Sequence, residues 1–166
     1  MTAKLLLLAA SVAVLAALPA SAEPPRPFLL KAIQGDNAEI RLGKLAQRKA
    51  ENRQVRDFGA TLIDDHRMAR DQASQVAQRL GIDPPSGVAP EAKREYSKLE
   101  GMSGPRFDRE FVSYMIGDHQ KDIAEFKREA RSDNGPVGRL AQKQLPTLEK
   151  HLHIAENLAD QRISRR

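Results

Sequence analysis

Two aspartate–histidine pairs, Asp65-His66 and Asp118-His119, each sit midway along a segment whose apolar residues recur with a period near 3.6. That period marks an amphipathic helix. His66 points the same way as Val55, Leu62, Ile63, Ala69, Ala73 and Ala77, and His119 points with Val112, Met115, Ile116, Ile123 and Phe126, plus two carboxylates, Asp108 and Asp122. An imidazole at the centre of an apolar stripe faces other helices rather than water. Such stripes have to be buried against one another, so the chain must pack helix on helix and must carry polar groups at mid-length in its core.

Two further stripes complete the set. From Phe28 to about Ala50 the apolar face runs through Ala32, Gly35, Leu42, Gly43 and Ala46, with Glu39 in its middle, while Arg41, Lys44 and Arg48 occupy the other side. The last segment runs to about Ile163, with Val137, Leu140, Leu148, Ile154, Ala155 and Leu158 on one face, His151 among them and Pro146 as an expected kink. Asn52 is a good N-cap for the second helix, and Gly81 with Pro84-Pro85 ends it. Ser132-Asp133-Asn134-Gly135-Pro136 is a tight turn. The break between Ile82 and Gly104, with a short helix expected from Glu91 to Glu100, is too long for the turn between antiparallel neighbours, which takes about 2–8 residues. Two helical hairpins joined by a crossover containing a short helix make an all-α four-helix bundle.

The ends and composition narrow the setting. Lys4, the apolar run Leu5–Leu18 and Ala20-Ser21-Ala22 read as a secretory signal over residues 1–22. Pro24, Pro25 and Pro27 then suggest an extended leader over 23–27, with the helical domain over 28–163. The apolar run is shorter than the roughly 20 residues of a membrane span, so a soluble periplasmic or secreted product with no membrane span is expected. With no cysteine among 166 residues, a lipid anchor on cysteine, disulfides and thiolate metal sites are excluded. The formal charge of +5, with Arg162, Arg165 and Arg166 at the tail, would suit loose contact with an anionic envelope surface, but a solvated exterior is the preferred reading of it. Without a basic stripe or an exposed aromatic row, nucleic acid is not an expected partner.

Each long helix thus carries one ionisable group near the middle of its buried stripe: Glu39, His66, His119 and His151. Their axial levels follow from numbering. Glu39 and His66 are about equally far from the turn at Asn52, and His119 and His151 equally far from Gly135, so each pair is level within its hairpin. One carboxylate and three imidazoles suit a transition metal such as zinc, iron, manganese or copper. Asp122, one turn beyond His119, is a candidate further ligand. Asp65 and Asp118, set to the side of their histidines, are candidate acceptors for the ring N–H of a neighbouring helix. The competing reading is a hydrogen-bonded network that serves folding alone. No nucleophile–base arrangement appears, since Ser97, Ser103 and Ser113 have no assignable partner.

The run Ala38-Glu39-Ile40-Arg41-Leu42-Gly43-Lys44-Leu45-Ala46, with Asp65-His66, Phe107-Asp108, Asp118-His119 and Leu145-Pro146-Thr147-Leu148 before His151, resembles a bacterial family. It is the exported ferritin-like domain of unknown function whose members are often labelled "predicted outer membrane protein". The resemblance spans about Phe28 to Leu158 and implies a ferritin-like bundle, an envelope location and no established activity. Compared with the di-iron ferritins, which carry Glu-x-x-His on two helices, the chain has Ile63 three before His66 and Leu148 three before His151. Only Glu39 matches a ferritin-type glutamate, which favours a histidine-rich site over a carboxylate-bridged iron pair. The expectation is an exported metal-binding or redox-protective bundle. Its rival is a non-catalytic envelope stress or interaction protein whose polar core is structural.

Overall fold

A computed structural model describes residues 25–132 and 135–163; the expected signal over 1–22, the pair Asp133-Asn134 and the C-terminal arginines Arg165 and Arg166 lie outside them. Among the described residues there are five helices: α1 (Pro25–Lys49), α2 (Arg53–Arg79), α3 (Pro90–Glu100), α4 (Gly104–Ser132) and α5 (Pro136–Ile163). The four long ones form a ferritin-like four-helix bundle, and α3 lies in the crossover. No described helix is long and apolar enough to cross a membrane. Of the leader expected over 23–27, Glu23 and Pro24 lie outside the described residues, and 25–27 are helical instead of extended, because α1 starts at Pro25. Pro25 and Pro27 occupy its first turn, where a backbone N–H has no intrahelical acceptor and a missing one costs nothing.

Local chemistry sets the helix ends. The Asn52 side chain accepts the Gln54 N–H at 2.8 Å and caps α2. At the other end Gly81, in the left-handed region at φ 69°, lets its own N–H reach the Gln78 carbonyl and the Ile82 N–H reach that of Ala77. These two bonds close the helix as a Schellman turn. Pro90 and Pro136 stand at the first positions of α3 and α5. The crossover is fastened to α1 by the Asn37 amide, which donates to the carbonyls of Pro85 and Gly87 at 3.1 and 3.0 Å.

Packing within the first hairpin is close enough to exclude a methyl group. A Cβ placed on Gly43 would stand 2.6 Å from the Gly59 carbonyl oxygen, and one on Gly59 would stand 2.8 Å from that of Gly43. The α1 and α2 backbones therefore touch directly, and the register between them is fixed at that crossing.

The apolar core is divided in two. One cluster, at the end of the α1–α2 turn, gathers Leu42, Leu45, Phe58, Leu62, Phe107, Phe111, Met115 and Leu158. The other gathers Phe28, Leu29, Ile33, Ala73, Val76, Phe126, Val137 and Leu140. Following each helix from cluster to cluster gives its direction: α2 and α4 run the same way, and α1 and α5 run opposite to them. Between the clusters lies a buried polar layer of Asp36, Glu39, His66, His119 and His151. The buried carboxylate of Asp108 belongs elsewhere. It accepts the N–H groups of Glu51 at 3.2 Å and Asn52 at 2.8 Å, so α4 caps the turn between α1 and α2.

Candidate metal centre

Three imidazoles occupy the centre of the polar layer. His66 comes from α2, His119 from α4 and His151 from α5, and each is fully or almost fully buried. Their ring centroids are 5.1 to 5.9 Å apart. One nitrogen from each ring lies within 4.8 Å of one nitrogen from each of the others. The Phe58 ring packs edge-on against His151 with centroids 6.2 Å apart, closing the site from the apolar cluster at the turn.

The outer nitrogen of each ring has a partner, and for His119 and His151 that partner assigns the tautomer. His119 Nδ1 is 2.9 Å from the Met115 carbonyl, which can only accept, so the proton is on Nδ1. His151 Nε2 donates to Asp65 Oδ2 at 2.8 Å, and Lys150 bonds the same carboxylate oxygen. Burial works to raise the Asp65 carboxyl, but the hydrogen bonds from Lys150 and His151 outweigh it and hold the group below its ordinary range. His66 Nδ1 and Asp36 Oδ1 are 2.8 Å apart and share one proton, with burial raising the Asp36 carboxyl well above the usual carboxylate range.

The inner nitrogens of His119 and His151 therefore present lone pairs. His119 Nε2 and His151 Nδ1 face each other at 3.3 Å, two acceptors with no proton between them unless one ring takes a charge. Burial opposes that charge. It lowers the pKa of His119 to about 3, helped by the neighbouring His66 and His151, and lowers His66 and His151 to about 4. His66 Nε2 is buried with no hydrogen-bond partner at all. Ligands about 2.0–2.1 Å from a tetrahedral ion are spaced about 3.3 Å from one another, which is the separation of the two facing nitrogens. Neutral rings, tautomers locked by carboxylate or carbonyl partners, and convergent lone pairs are the requirements of a histidine metal site.

Of the sequence-expected residues, His66, His119 and His151 come together, and Asp65 takes the ring N–H of a neighbouring helix. Glu39 and Asp122 do not join the three nitrogens. Glu39 lies in a separate acidic group, where burial first, then Asp118, Asp122 and Asp36, raise its carboxyl well above the usual range. Asp118 accepts the Tyr114 hydroxyl at 3.4 Å rather than an imidazole N–H, because its side chain lies towards that acidic group. Burial pushes Asp122 up to about 8, with Asp118 and Glu125 adding to it. The residue that sequence reasoning passed over is Asp36. It lies one turn before Glu39 and four residues after Ala32, so it shares the buried face, and it is about as far from the turn as His66. Those two facts were its signal.

A cavity of about 190 Å3 opens beside the layer. Asp36, His66, Asp118 and Asp122 line it together with exposed residues such as Met68 and Lys121, so it connects the polar layer with solvent.

Comparison with known proteins places the chain. A solved structure described as "Crystal structure of DUF305 fragment from Deinococcus radiodurans" is similar at a TM-score of 0.69 and 21% identity, covering 84% of this chain and 98% of that one. At that identity the likeness establishes the helical fold. No curated protein matches the sequence. The family described as "Domain of unknown function (DUF4142)" matches residues 10–158. With most of its length inside that match, the chain belongs to the DUF4142 family, a domain of unknown function.

Proposed function

We propose that this protein binds one transition-metal ion through His66, His119 and His151, and that its role in the cell envelope is metal binding or protection against redox damage. The carrying observation is the pair of lone-pair nitrogens, His119 Nε2 and His151 Nδ1, 3.3 Å apart with neither able to donate. Facing acceptors repel, and a cation between them turns that repulsion into two bonds. Borderline divalent ions that accept imidazole, zinc and copper foremost with iron and manganese next, are the class the donors select. Three protein ligands leave a fourth position for exchange with small ligands. The envelope setting rests on the signal-like residues 1–22.

Each residue has a defined part. The three rings bind. Asp36, the Met115 carbonyl and Asp65 hold the outer ring nitrogens so that the inner lone pairs converge. Phe58 and the two apolar clusters cover the site above and below, and leave the cavity beside His66 as its approach from solvent. A purely structural network would be expected to pair its buried polar atoms, and this one leaves His66 Nε2 without a partner.

Melting curves with and without chelator test the reading. An ion bound only by the folded state stabilises it by about 4 kcal/mol at a thousandfold excess over Kd, enough to raise Tm by more than about 8 °C. Zinc or copper should raise Tm of the chelated protein, and His119→Leu should abolish that response while metal analysis drops from one ion per chain to none. A Tm indifferent to chelator and to each added metal would overturn the proposal.

A further inference from the structure

The outer face of α1 carries three cations that neither the core nor the histidine site uses. Arg41, Lys44 and Arg48 are spaced three and four residues apart, so they share one exposed face, where like charges repel. Opposite them α3 adds a fourth cation, Lys93, and all four line a pocket of about 450 Å3 between the two helices. That volume is in the range of small-molecule sites. No carboxylate is among the lining residues. None of the four cations forms an ion pair with another described residue, and the one bond among them runs from Arg48 Nη2 to the Tyr96 hydroxyl at 3.3 Å. The nearby acids of α3 are engaged elsewhere: Glu91 lines the cavity beside His66, and Glu95 bonds Lys98.

The pocket is held in shape and has two kinds of wall. Asn37 fastens the crossover to α1 just before Val88, and the bond between Arg48 and Tyr96 ties α3 to α1 further along. Ala38, Leu42 and Val88 line it from below as buried apolar groups, with the half-buried Tyr96 ring beside them. Ala92 and Lys93, from the first turn of α3, also line it. That turn has no side-chain cap, and the N–H groups of Glu91 and Ala92 have no acceptor among the described residues. The positive end of an eleven-residue helix therefore adds to the four side-chain charges. A concave surface lined by one sign of charge concentrates ligands of the other sign.

We propose that this pocket binds a small amphiphilic anion, with a phosphate head among Arg41, Lys44, Arg48 and Lys93 and an apolar body against Ala38, Leu42 and Val88. A phosphate monoester carries about two negative charges and three acceptor oxygens, so it answers several cations at once, as a single carboxylate does not. Guanidinium groups match phosphate oxygens two at a time. A lipid headgroup and a soluble phosphate ester share this chemistry. The site goes beyond the metal centre and does not depend on it, since no residue is common to the two.

Hexyl phosphate and inorganic phosphate are the probes, titrated into isotope-labelled protein at about 0.15 M salt and followed by amide resonances. One hexyl phosphate should bind per chain, moving the amides of Ala92, Lys93 and Ser97, and about tenfold more tightly than inorganic phosphate. Arg41→Gln and Lys93→Gln should each weaken it about tenfold and leave zinc uptake unchanged. Both side chains are exposed, so the variants should fold, which circular dichroism checks. Lys127→Gln, which removes a cation paired with Glu149 between α4 and α5, should have no effect. Phosphatidylcholine vesicles with and without phosphatidic acid identify the source. Sedimentation with the phosphatidic acid vesicles that both pocket variants lose assigns the head to a membrane lipid, and hexyl phosphate binding without sedimentation assigns it to a soluble ester; either upholds the pocket. No saturable binding, equal weakening by Lys127→Gln, amide shifts away from α1 and α3, or inorganic phosphate bound as tightly as the hexyl ester would overturn the proposal. Hexyl phosphate bound through Arg41 and Lys93 by a protein that takes up no zinc would uphold it, and would count against the histidine site alone.

Discussion

Three neutral imidazoles and several reluctant carboxyls in one layer pull stability in opposite directions with pH. The histidines hold folded pKa values of about 4, 3 and 4, below the usual 6.5, so between those limits the unfolded chain is the better proton acceptor. Their contribution is complete above about pH 6.5 and is lost as the pH falls towards 4. Asp122 behaves oppositely. Its folded pKa of about 8 lies above its ordinary 3.8, so the folded state keeps a proton that the unfolded state releases, and its contribution is lost as the pH rises through about 8. Denaturant titrations of the metal-free protein should therefore show wild type losing stability relative to Asp122→Asn between pH 4 and 8. In the same protein, the ring resonances of His66, His119 and His151 should keep neutral-imidazole shifts down to about pH 5. A ring that titrates near 6.5 would mean that its burial had been relieved.

Helix-level packing makes a paired prediction about glycine. Gly43 and Gly117 both lie inside long helices, where alanine is intrinsically better by up to about 1 kcal/mol. Nothing lies within 4 Å of a Cβ built on Gly117, so Gly117→Ala should stabilise by about that amount. At Gly43 the new methyl meets the Gly59 carbonyl, a backbone atom that cannot move without parting α1 from α2. Gly43→Ala should destabilise by about 1–3 kcal/mol in urea titrations. Equal effects at the two positions would show that α1 and α2 do not touch where their glycines cross. The same close approach explains how Asp36 reaches His66, since both helices are held in register only a few turns away.

At the scale of the whole molecule, much was legible before any coordinates. The period of 3.6 located the four long helices. The Asn52 cap, the Gly81 end and the proline-rich break placed their limits, and equal distances from each turn put Glu39 level with His66 and His119 level with His151. Partners were harder to read. Asp108 was placed on the face of His119, but periodicity reports a face and not what lies across it. Its actual partners are backbone N–H groups 56 and 57 positions away. Glu39 was correctly placed on the buried face, but whether it turns towards imidazoles or carboxylates depends on side-chain direction across the α1–α4 seam. The leader was over-extended because proline breaks a helix interior and yet suits a first turn. A metal bound by three helices is itself a whole-molecule tie, which is why its removal is expected in the global melting temperature and not only in local order.

The polar layer that divides the core has a kinetic consequence. Each apolar cluster draws on all four long helices, so each end of the bundle is a candidate cooperative unit, joined to the other through the polar layer. In native-state hydrogen exchange of the metal-free protein, amides around Val137–Leu140 and those around Ala155–Leu158, on the same helix, should report two different opening free energies. An ion that links α2, α4 and α5 through that stratum should merge them into one. A single opening energy in the metal-free protein would mean that the two ends already unfold together. Occupancy would then act on the protein as a change in the size of its unfolding unit, turning two breathing halves into one body.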